Sequence, residues 1–401
     1  MISFQQAQKE VLARVKPVTE CEGVSPIHGL GRVLSHPVTA PANVPNHDNS
    51  AMDGYALGFD TLQKVGTTSL TVIADLPAGD RITDPVQAGE AIRIMTGAPI
   101  PPGCDCVVMQ EVVEREGEKI TIPSGQNQYQ HIRKAGEDIQ EGSEVLPAGR
   151  RLKPADLGLL TSLGIAEMSV LRRPVVALLS SGNEVIEAGT PIQPGQVYDS
   201  NRTTLHTALI ALGVDVLDLG VVKDNRAMIE RALHRGGEEA DAIISTGGVS
   251  VGDYDLIKEV LQERGDIHFW KVAMKPGKPQ AYGQINNALF FGLPGNPVSG
   301  LTVFLTIVRP ALLRLMGAQD EPVPLMTMPF RGSLHKKHPR MDFVRAIVHY
   351  DPDGPWVETT GAQGSGILTS LSKANAFLVL PEKPLTLKDG DLVNVQRIDY
   401  F

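Results

Sequence analysis

The chain has 401 residues, is 42% hydrophobic and 5% aromatic, and carries a formal net charge of −9. That length exceeds one ordinary core and predicts about two to four domains. The acidic balance, with no long basic run, argues against nucleic acid as the main partner. No uninterrupted apolar run of roughly 18 residues predicts a transmembrane helix, so no membrane association is expected. The N-terminal residues lack an apolar leader, and Cys21, Cys104 and Cys106 form a sparse, odd set. Both features place the expected location in a reducing cytoplasm.

Phe4, Ala7, Val11, Leu12 and Val15 recur at helical spacing behind Ser3, which is suited to cap a helix over residues 3–15. Prolines 17, 26, 37, 41 and 45 then break the chain into short extended pieces. The polar stretch Asn46 to Ala56 carries the Asp53-Gly54 turn signal. Residues 67–122 read as short strands punctuated by Gly and Pro, among them Leu70, Val72 and Ala74 in alternation. A β-rich domain is expected there. Pro154 opens a helix that Gly164 closes.

From 173 to 317 the pattern becomes α/β. Val175 to Leu179 is a continuous apolar run, as in a strand covered on both faces. Helices are expected over Thr203–Leu212, Ala227–Leu233 and Leu256–Glu263. Strands are expected over Val214–Val222, Ala242–Ser245, Phe269–Met274 and Ala288–Gly292. A long apolar helix over Val298–Met316 carries Pro310 as an expected kink. Alternating elements predict a doubly wound, mostly parallel sheet, with ligands beyond the carboxyl ends of its strands. Residues 318–401 return to strand-like runs and predict a small C-terminal β-barrel.

The stretch Ser245-Thr-Gly-Gly-Val-Ser-Val-Gly-Asp-Tyr-Asp255 lies between a strand and a helix. Gly247, Gly248 and Gly252 permit a sharp turn and close backbone approach, and Ser250 adds a hydroxyl. A helix start favours an anion. Glu184, Asp224, Asp253 and Asp255 each follow a predicted strand, so a parallel sheet would gather them at one edge. Carboxylates without a histidine or cysteine set suit a hard cation, most simply Mg2+. Lys271, Lys275 and Lys278 lie on or after another strand, and Gly292-Leu-Pro-Gly-Asn-Pro297 opens the long helix. The basic residues from Arg331 to Arg340 read as a solvated loop or part of a small anion site. No nucleophile set of the G-x-S-x-G kind occurs, which points to positioning and charge neutralisation.

Seven motifs in order resemble the MoeA-type molybdopterin molybdenumtransferase family. They are Asp48-Asn-Ser-Ala-Met-Asp-Gly-Tyr-Ala56, Met95-Thr-Gly-Ala-Pro-Ile-Pro101, Arg133-Lys-Ala-Gly-Glu-Asp138, Gly247-Gly-Val-Ser-Val-Gly252, Lys275-Pro-Gly-Lys-Pro279, Gly292-Leu-Pro-Gly-Asn-Pro297 and Gly361-Ala-Gln-Gly-Ser365. The resemblance implies a homodimer of four-domain chains, with a discontinuous first domain over 1–40 and 140–172 and an inserted β domain over 41–139. It implies insertion of molybdenum from molybdate into adenylated molybdopterin, with release of AMP and with Mg2+ at the site. It also implies a transient contact with a molybdopterin adenylyltransferase. By motif, Asp53, Thr96, Glu184, Asp224, Asp255, Lys271 and Lys275 take catalytic positions, with Pro294 and Pro297 beside them. Lys278, Ser299, Arg345 and Ser365 take molybdate or phosphate contacts. Two rivals remain: a nucleotide pyrophosphatase sharing the α/β domain, which leaves the β domains unexplained, and a non-catalytic pterin-binding scaffold, which would not need the acids.

Overall fold

The computed structural model describes residues 1–247, 256–264, 266–319 and 323–398. The chain packs as two units. One comprises Met1–Ser35, Gly149–Lys153 and Met168–Phe401, and the other His36–Ala148 and Pro154–Glu167.

The smaller unit is built on a six-stranded sheet. Its strands run in the order Cys106–Met109, Gly54–Leu57, Glu90–Ile94, Thr67–Leu76, Lys119–Pro123 and Glu114–Glu116. Successive side chains point to opposite faces. Tyr55, Leu57, Leu70, Val72 and Val108 therefore pack on one side, and Ala56, Leu76, Ile92, Ile94 and Val107 on the other. A Cβ on Gly54 would meet the Val108 carbonyl oxygen at 2.1 Å, so that strand reaches its neighbour only through glycine. Cys106 lies in this core, and burial, helped by Asp105, pushes the Cys104 and Cys106 thiols up to about 12. They are protonated, hydrophobic side chains. Pro154 opens the helix Pro154–Ser162 in this unit.

The larger unit begins with the helix Phe4–Arg14, where Ser3 Oγ accepts the Gln6 N–H at 3.1 Å and Phe4, Ala7 and Val11 are buried. Its α/β sheet comprises β1 (Val175–Ser181), β2 (Asp215–Val222), β3 (Ala242–Thr246), β4 (Asp266–Lys271), β5 (Pro279–Ile285) and β6 (Ala288–Leu293), in the spatial order β2-β1-β3-β6-β5-β4. The first four strands of that order are parallel, and β5 and β4 pair antiparallel at the far edge. The helices are α1 (Ser200–Leu212), α2 (Arg226–Glu239), α3 (Leu256–Arg264) and α4 (Pro297–Val303).

Both faces of this sheet are covered, which explains the continuous apolar strands. Val176, Leu178, Ile244 and Phe291 pack with Leu205 and Leu209 of α1 and with Phe304 and Ile307. The alternate residues Ala177, Leu179, Ile243 and Phe290 pack with Ile229 and Leu233 of α2 and Val260 and Leu261 of α3.

Three local expectations change, and one strand was not expected at all. Helix α1 starts at Ser200, three residues before Thr203, because Asp199 caps it by accepting the Arg202 N–H. Helix α2 runs on to Glu239 behind the Asn225 cap. The strand expected over Phe269–Met274 ends at Lys271, and Met274–Lys275 instead pairs in parallel with Met341 and Asp342 of the C-terminal sheet. Strand β5 had no apolar signature: Gln280 is buried, and a Cβ on Gly283 would meet the Asp266 carbonyl oxygen at 2.1 Å.

The long apolar helix carries a π turn, Phe304–Val308, ahead of Pro310. Pro310 has no N–H for the Thr306 carbonyl. Gln8 Nε2 donates to that carbonyl instead, at 3.0 Å. The segment Pro297–Leu315, 19 residues long, is apolar and long enough to cross a membrane. It is the long apolar helix that the sequence predicts over Val298–Met316. Most of this helix is buried in the protein, and it packs in the core shared by α1 and the sheet.

The C-terminal sheet orders Met274–Lys275, Met341–Asp351, Ala376–Leu380, Leu392–Arg397 and Leu325–Pro329, with Gly354–Thr359 paired on Met341–Asp351. Phe330, Val344, Ala346, Leu378 and Val395 fill its core.

Candidate functional site

The carboxyl ends of β1, β2, β3 and β6 meet at one edge. Gly247 N donates to the Leu293 carbonyl at 3.2 Å, tying the end of β3 to the end of β6. Gly247 has φ +86°, and a Cβ there would lie 2.7 Å from the Ser181 carbonyl oxygen at the end of β1. A Cβ on Gly295 would stand 3.7 Å from the Gly247 Cα. These glycines let three backbone segments crowd together, as an anion-binding edge requires. Gly248, Ser250, Gly252, Asp253 and Asp255 lie outside the described residues.

The two described acids arrive from neighbouring strands. Glu184 follows β1 and Asp224 follows β2. They are linked through Asn183, whose N–H donates to Asp224 Oδ2 at 3.2 Å and whose Oδ1 accepts the Asp224 N–H at 3.1 Å. The Glu184 carboxylate folds back over Gly182, where a Cβ would meet Oε2 at 2.6 Å. Lys223 Nζ donates to the Val185 carbonyl at 2.8 Å and closes the same turn. Among the described residues the edge offers oxygen donors with no His or Cys in the same group, a set that suits a hard divalent cation. Among the described residues no group of three or more His, Cys, Asp and Glu forms a closed metal cage.

Sequence reasoning missed two groups at this edge. Asn201 Nδ2 donates to Thr246 Oγ1 at 3.1 Å and to the Gly295 carbonyl at 2.7 Å, bridging β3 to the Pro294–Pro297 turn. Asp199 accepts the Ser180 hydroxyl at 3.0 Å, and its Oδ2 is buried without a partner. The Asp-Ser-Asn run is an N-cap signature that would have revealed both, had the helix start been placed there.

Pro294 and Ser299 are buried around the start of α4, with Pro297 partly covered, and the Val298 N–H donates to the Ser365 carbonyl at 3.3 Å. That bond carries the Gly361–Ser365 loop to the helix. Arg345, 2% exposed, holds the loop from below: its Nη2 donates to the Gly364 carbonyl at 3.0 Å and its Nε to Ser370 Oγ at 3.1 Å. Burial draws the Arg345 guanidinium down, against the pull of Asp342. Much of its hydrogen bonding thus goes to fixing the loop.

The lysines form a second group. Lys271, Lys275 and Lys278 are exposed. The Lys278 carbonyl accepts the Val272 N–H at 2.9 Å, and Lys275 stands opposite Asp342 in strand register. Asp342 is buried, with Oδ2 3.3 Å from His338 Nε2. Burial pushes its carboxyl up, against Lys275, Lys336, Arg340 and Arg345. Burial, then Arg340, Lys275 and Lys336, pushes His338 down to about 4. Lys336 is not solvated, contrary to the expectation of a solvated basic loop. Its Nζ donates to the carbonyls of His338, Pro381 and Lys383 at 2.8, 2.8 and 2.7 Å.

Asp53 and Thr96 lie together in the smaller unit. The Thr96 N–H and hydroxyl both donate to Asp53 Oδ1 at 2.8 Å. These bonds, with Arg93, hold the exposed Asp53 carboxyl below the usual range.

An acid-and-glycine edge on a parallel sheet, in a chain with β regions before and after it in sequence, defines a multidomain α/β protein with a candidate anion site. Residues 177–314 match the family described as a probable molybdopterin binding domain, residues 2–164 the MoeA N-terminal region (domain I and II), and residues 327–398 the MoeA C-terminal region (domain IV). A protein of Haemophilus influenzae named molybdopterin molybdenumtransferase is 39% identical over 408 residues, covering 100% of both chains. One of the same name from Bacillus subtilis is 33% identical, covering 94% of this chain and 90% of the relative. The crystal structure of the molybdopterin biosynthesis moeA protein from Pyrococcus horikoshii OT3 superposes with a TM-score of 0.86 at 29% identity, covering 99% of this chain and 100% of that one. The chain belongs to the MoeA family of molybdopterin molybdenumtransferases.

Proposed function

We propose that this chain inserts molybdenum from molybdate into adenylated molybdopterin, releasing AMP and forming molybdenum cofactor. The observation that carries the reading is the edge where Gly247, Ser181 and Gly295 crowd together beside Glu184 and Asp224. Crowded glycine backbone admits a phosphate closely, and the adjacent carboxylates suit its cation. Similarity along the whole chain covers both β regions, which a pyrophosphatase sharing only the α/β domain would not need.

In this reading Glu184, Asp224 and Asp255 would hold Mg2+, which would supply charge neutralisation at the phosphoanhydride. Glu184 and Asp224 orient the cation, while Gly247, Gly248, Ser250 and Gly252 cradle the phosphate, with Pro294 and Pro297 shaping the neighbouring turn. Lys271 and Lys275 neutralise charge at the bound oxyanion, and Lys278 joins them as a molybdate or phosphate contact. Ser299, Ser365 and Arg345 serve the molybdate oxyanion, for which hydroxyls and cationic donors are the fitting partners. Asp53, its carboxylate fixed by Thr96, is a further functional position in the smaller unit. The chain works as a cytoplasmic homodimer and meets a molybdopterin adenylyltransferase transiently. Incubation with adenylated molybdopterin, Mg2+ and molybdate should release AMP together with active cofactor. AMP release without cofactor would return the reading to a pyrophosphatase, and substrate binding without turnover to a scaffold.

A further inference from the structure

A buried amide lies beneath the lysine loop, and the proposed chemistry does not use it. Gln280 is 1% exposed and sits on β5, facing the apolar core with Tyr282 two residues on. Such a group is costly to bury unless its donors and acceptor are all paired. Here they are. Gln280 Nε2 donates to the Gly277 carbonyl at 2.5 Å and contacts Met274 Sδ at 2.9 Å. Gln280 Oε1 accepts the Tyr282 hydroxyl.

The pairing fixes which way the amide faces. Tyr282 donates to the oxygen end, so the nitrogen end faces Gly277, and a reversed amide would set two oxygens against each other. Position 277 requires glycine. Its φ is +99°, and a Cβ there would lie 2.5 Å from Val303 Cγ2 at the end of α4. Tyr282 is itself clamped between Trp270 and Phe291, with ring centroids 5.0 and 5.9 Å away. The chain from Tyr282 through Gln280 to Gly277 therefore ends in the peptide that separates Lys275-Pro276 from Lys278.

We propose that Gln280 and Tyr282 are positioning residues that aim Lys275 and Lys278 at the bound oxyanion. This rests on the reading that those lysines bind an oxyanion. Neither residue touches the ligand, so their effect is on the placement of two charges and vanishes when the charges are removed.

The test is a double-mutant cycle read by calorimetric titration of molybdate, with melting temperature measured alongside. Tyr282→Phe removes one hydroxyl and keeps the ring, so the fold should survive. It should weaken molybdate binding about three- to tenfold, as the loss of one buried hydrogen bond implies. The same substitution placed on Lys275→Ala/Lys278→Ala should change binding less than twofold, because nothing is left to aim. Gln280→Glu should reproduce the Tyr282→Phe defect more strongly. If Tyr282→Phe leaves binding intact while the lysine variants weaken it, the positioning role is overturned and the lysine reading stands. An equal loss in both backgrounds would show a merely structural effect and also overturn it. If the lysine variants themselves bind normally, the underlying reading fails and takes this one with it.

Discussion

The acid edge and the lysine loop are the two groups on which the proposed site draws, and they are built by opposite means. The edge is a product of strand register. Parallel pairing of β1 with β2 and β3 places residues 184, 224 and 247 at one end of the sheet, although they are far apart in sequence. Its carboxylates are then tied by backbone bonds within the turns, such as the exchange between Asn183 and Asp224. The loop from Val272 to Lys278 has no such register across its length. Buried polar groups hold it, with Gln280 beneath Gly277 and the Met274–Lys275 pairing across to the C-terminal sheet. Geometry that comes from a sheet tolerates a changed side chain. Geometry that comes from a buried amide does not.

The largest effect should come from the acid edge. Glu184→Gln and Asp224→Asn keep size and hydrogen-bonding oxygen but lose charge. AMP release at limiting Mg2+ should fall roughly a hundredfold or more, with the melting temperature almost unchanged. Full activity in both variants would remove these carboxylates from the cation site. A drop in melting temperature matching the lost activity would instead make them fold-holding groups and blur the contrast.

The lysine loop should give a smaller loss. Lys275→Ala or Lys278→Ala should each cost about 1.5–3 kcal/mol of oxyanion binding, seen as a higher molybdate requirement. The stability of these exposed sites should barely move. Thermal melting beside molybdate titration checks this, and a large melting change with unaltered titration would mark the lysines as structural.

The third test concerns acid. The folded chain takes up the His338 proton near pH 4, whereas an unperturbed histidine takes it near 6.5. Stability from this depressed group is complete above about pH 6.5 and is lost as pH falls toward 4. Between pH 7 and pH 4.5 the loss should be about 2 kcal/mol. Asp342 works in the opposite sense, since the fold favours its protonated form. His338→Gln should flatten the acid limb of stability against pH. Identical limbs for the two proteins would exclude His338 as their source.

The smallest effect belongs to the helix cap. Asp199→Ala removes the acceptor for the Arg202 N–H and the Ser180 hydroxyl. A loss of about 1–2 kcal/mol in denaturant titration is expected. An unchanged midpoint would mean that solvent replaces the cap.

Much of this was legible in the chain, for identifiable reasons. The run Val175–Leu179 announces a doubly covered strand because residues on alternate sides really do enter two cores. Glu184 and Asp224 could be placed because acids after parallel strands share an edge. Strand β5 was hidden because its buried positions include a glutamine and a glycine, and the glycine is required by the distant Asp266 backbone beside it. Lys336 looked solvated because lysine usually is. Only the folded chain brings three carbonyls to its ammonium. The close pairing of Asp53 with Thr96 appeared only as two separate motifs, since the chain returns to the same place 43 residues later.

The bond from Gln8 to Thr306 also sets a timetable. The two residues are 298 positions apart, yet the helix around Pro310 leaves a carbonyl that this glutamine serves. On a ribosome adding about 5–20 residues per second, Gln8 emerges on the order of 15–60 s before its acceptor exists. During that interval the apolar stripe of Phe4, Ala7 and Val11 lacks the part of its core that Ile307 to Met316 and Phe343 supply. The first helix made is thus among the last to dock, and a nascent chain halted before Thr306 would present that stripe to whatever chaperone is near.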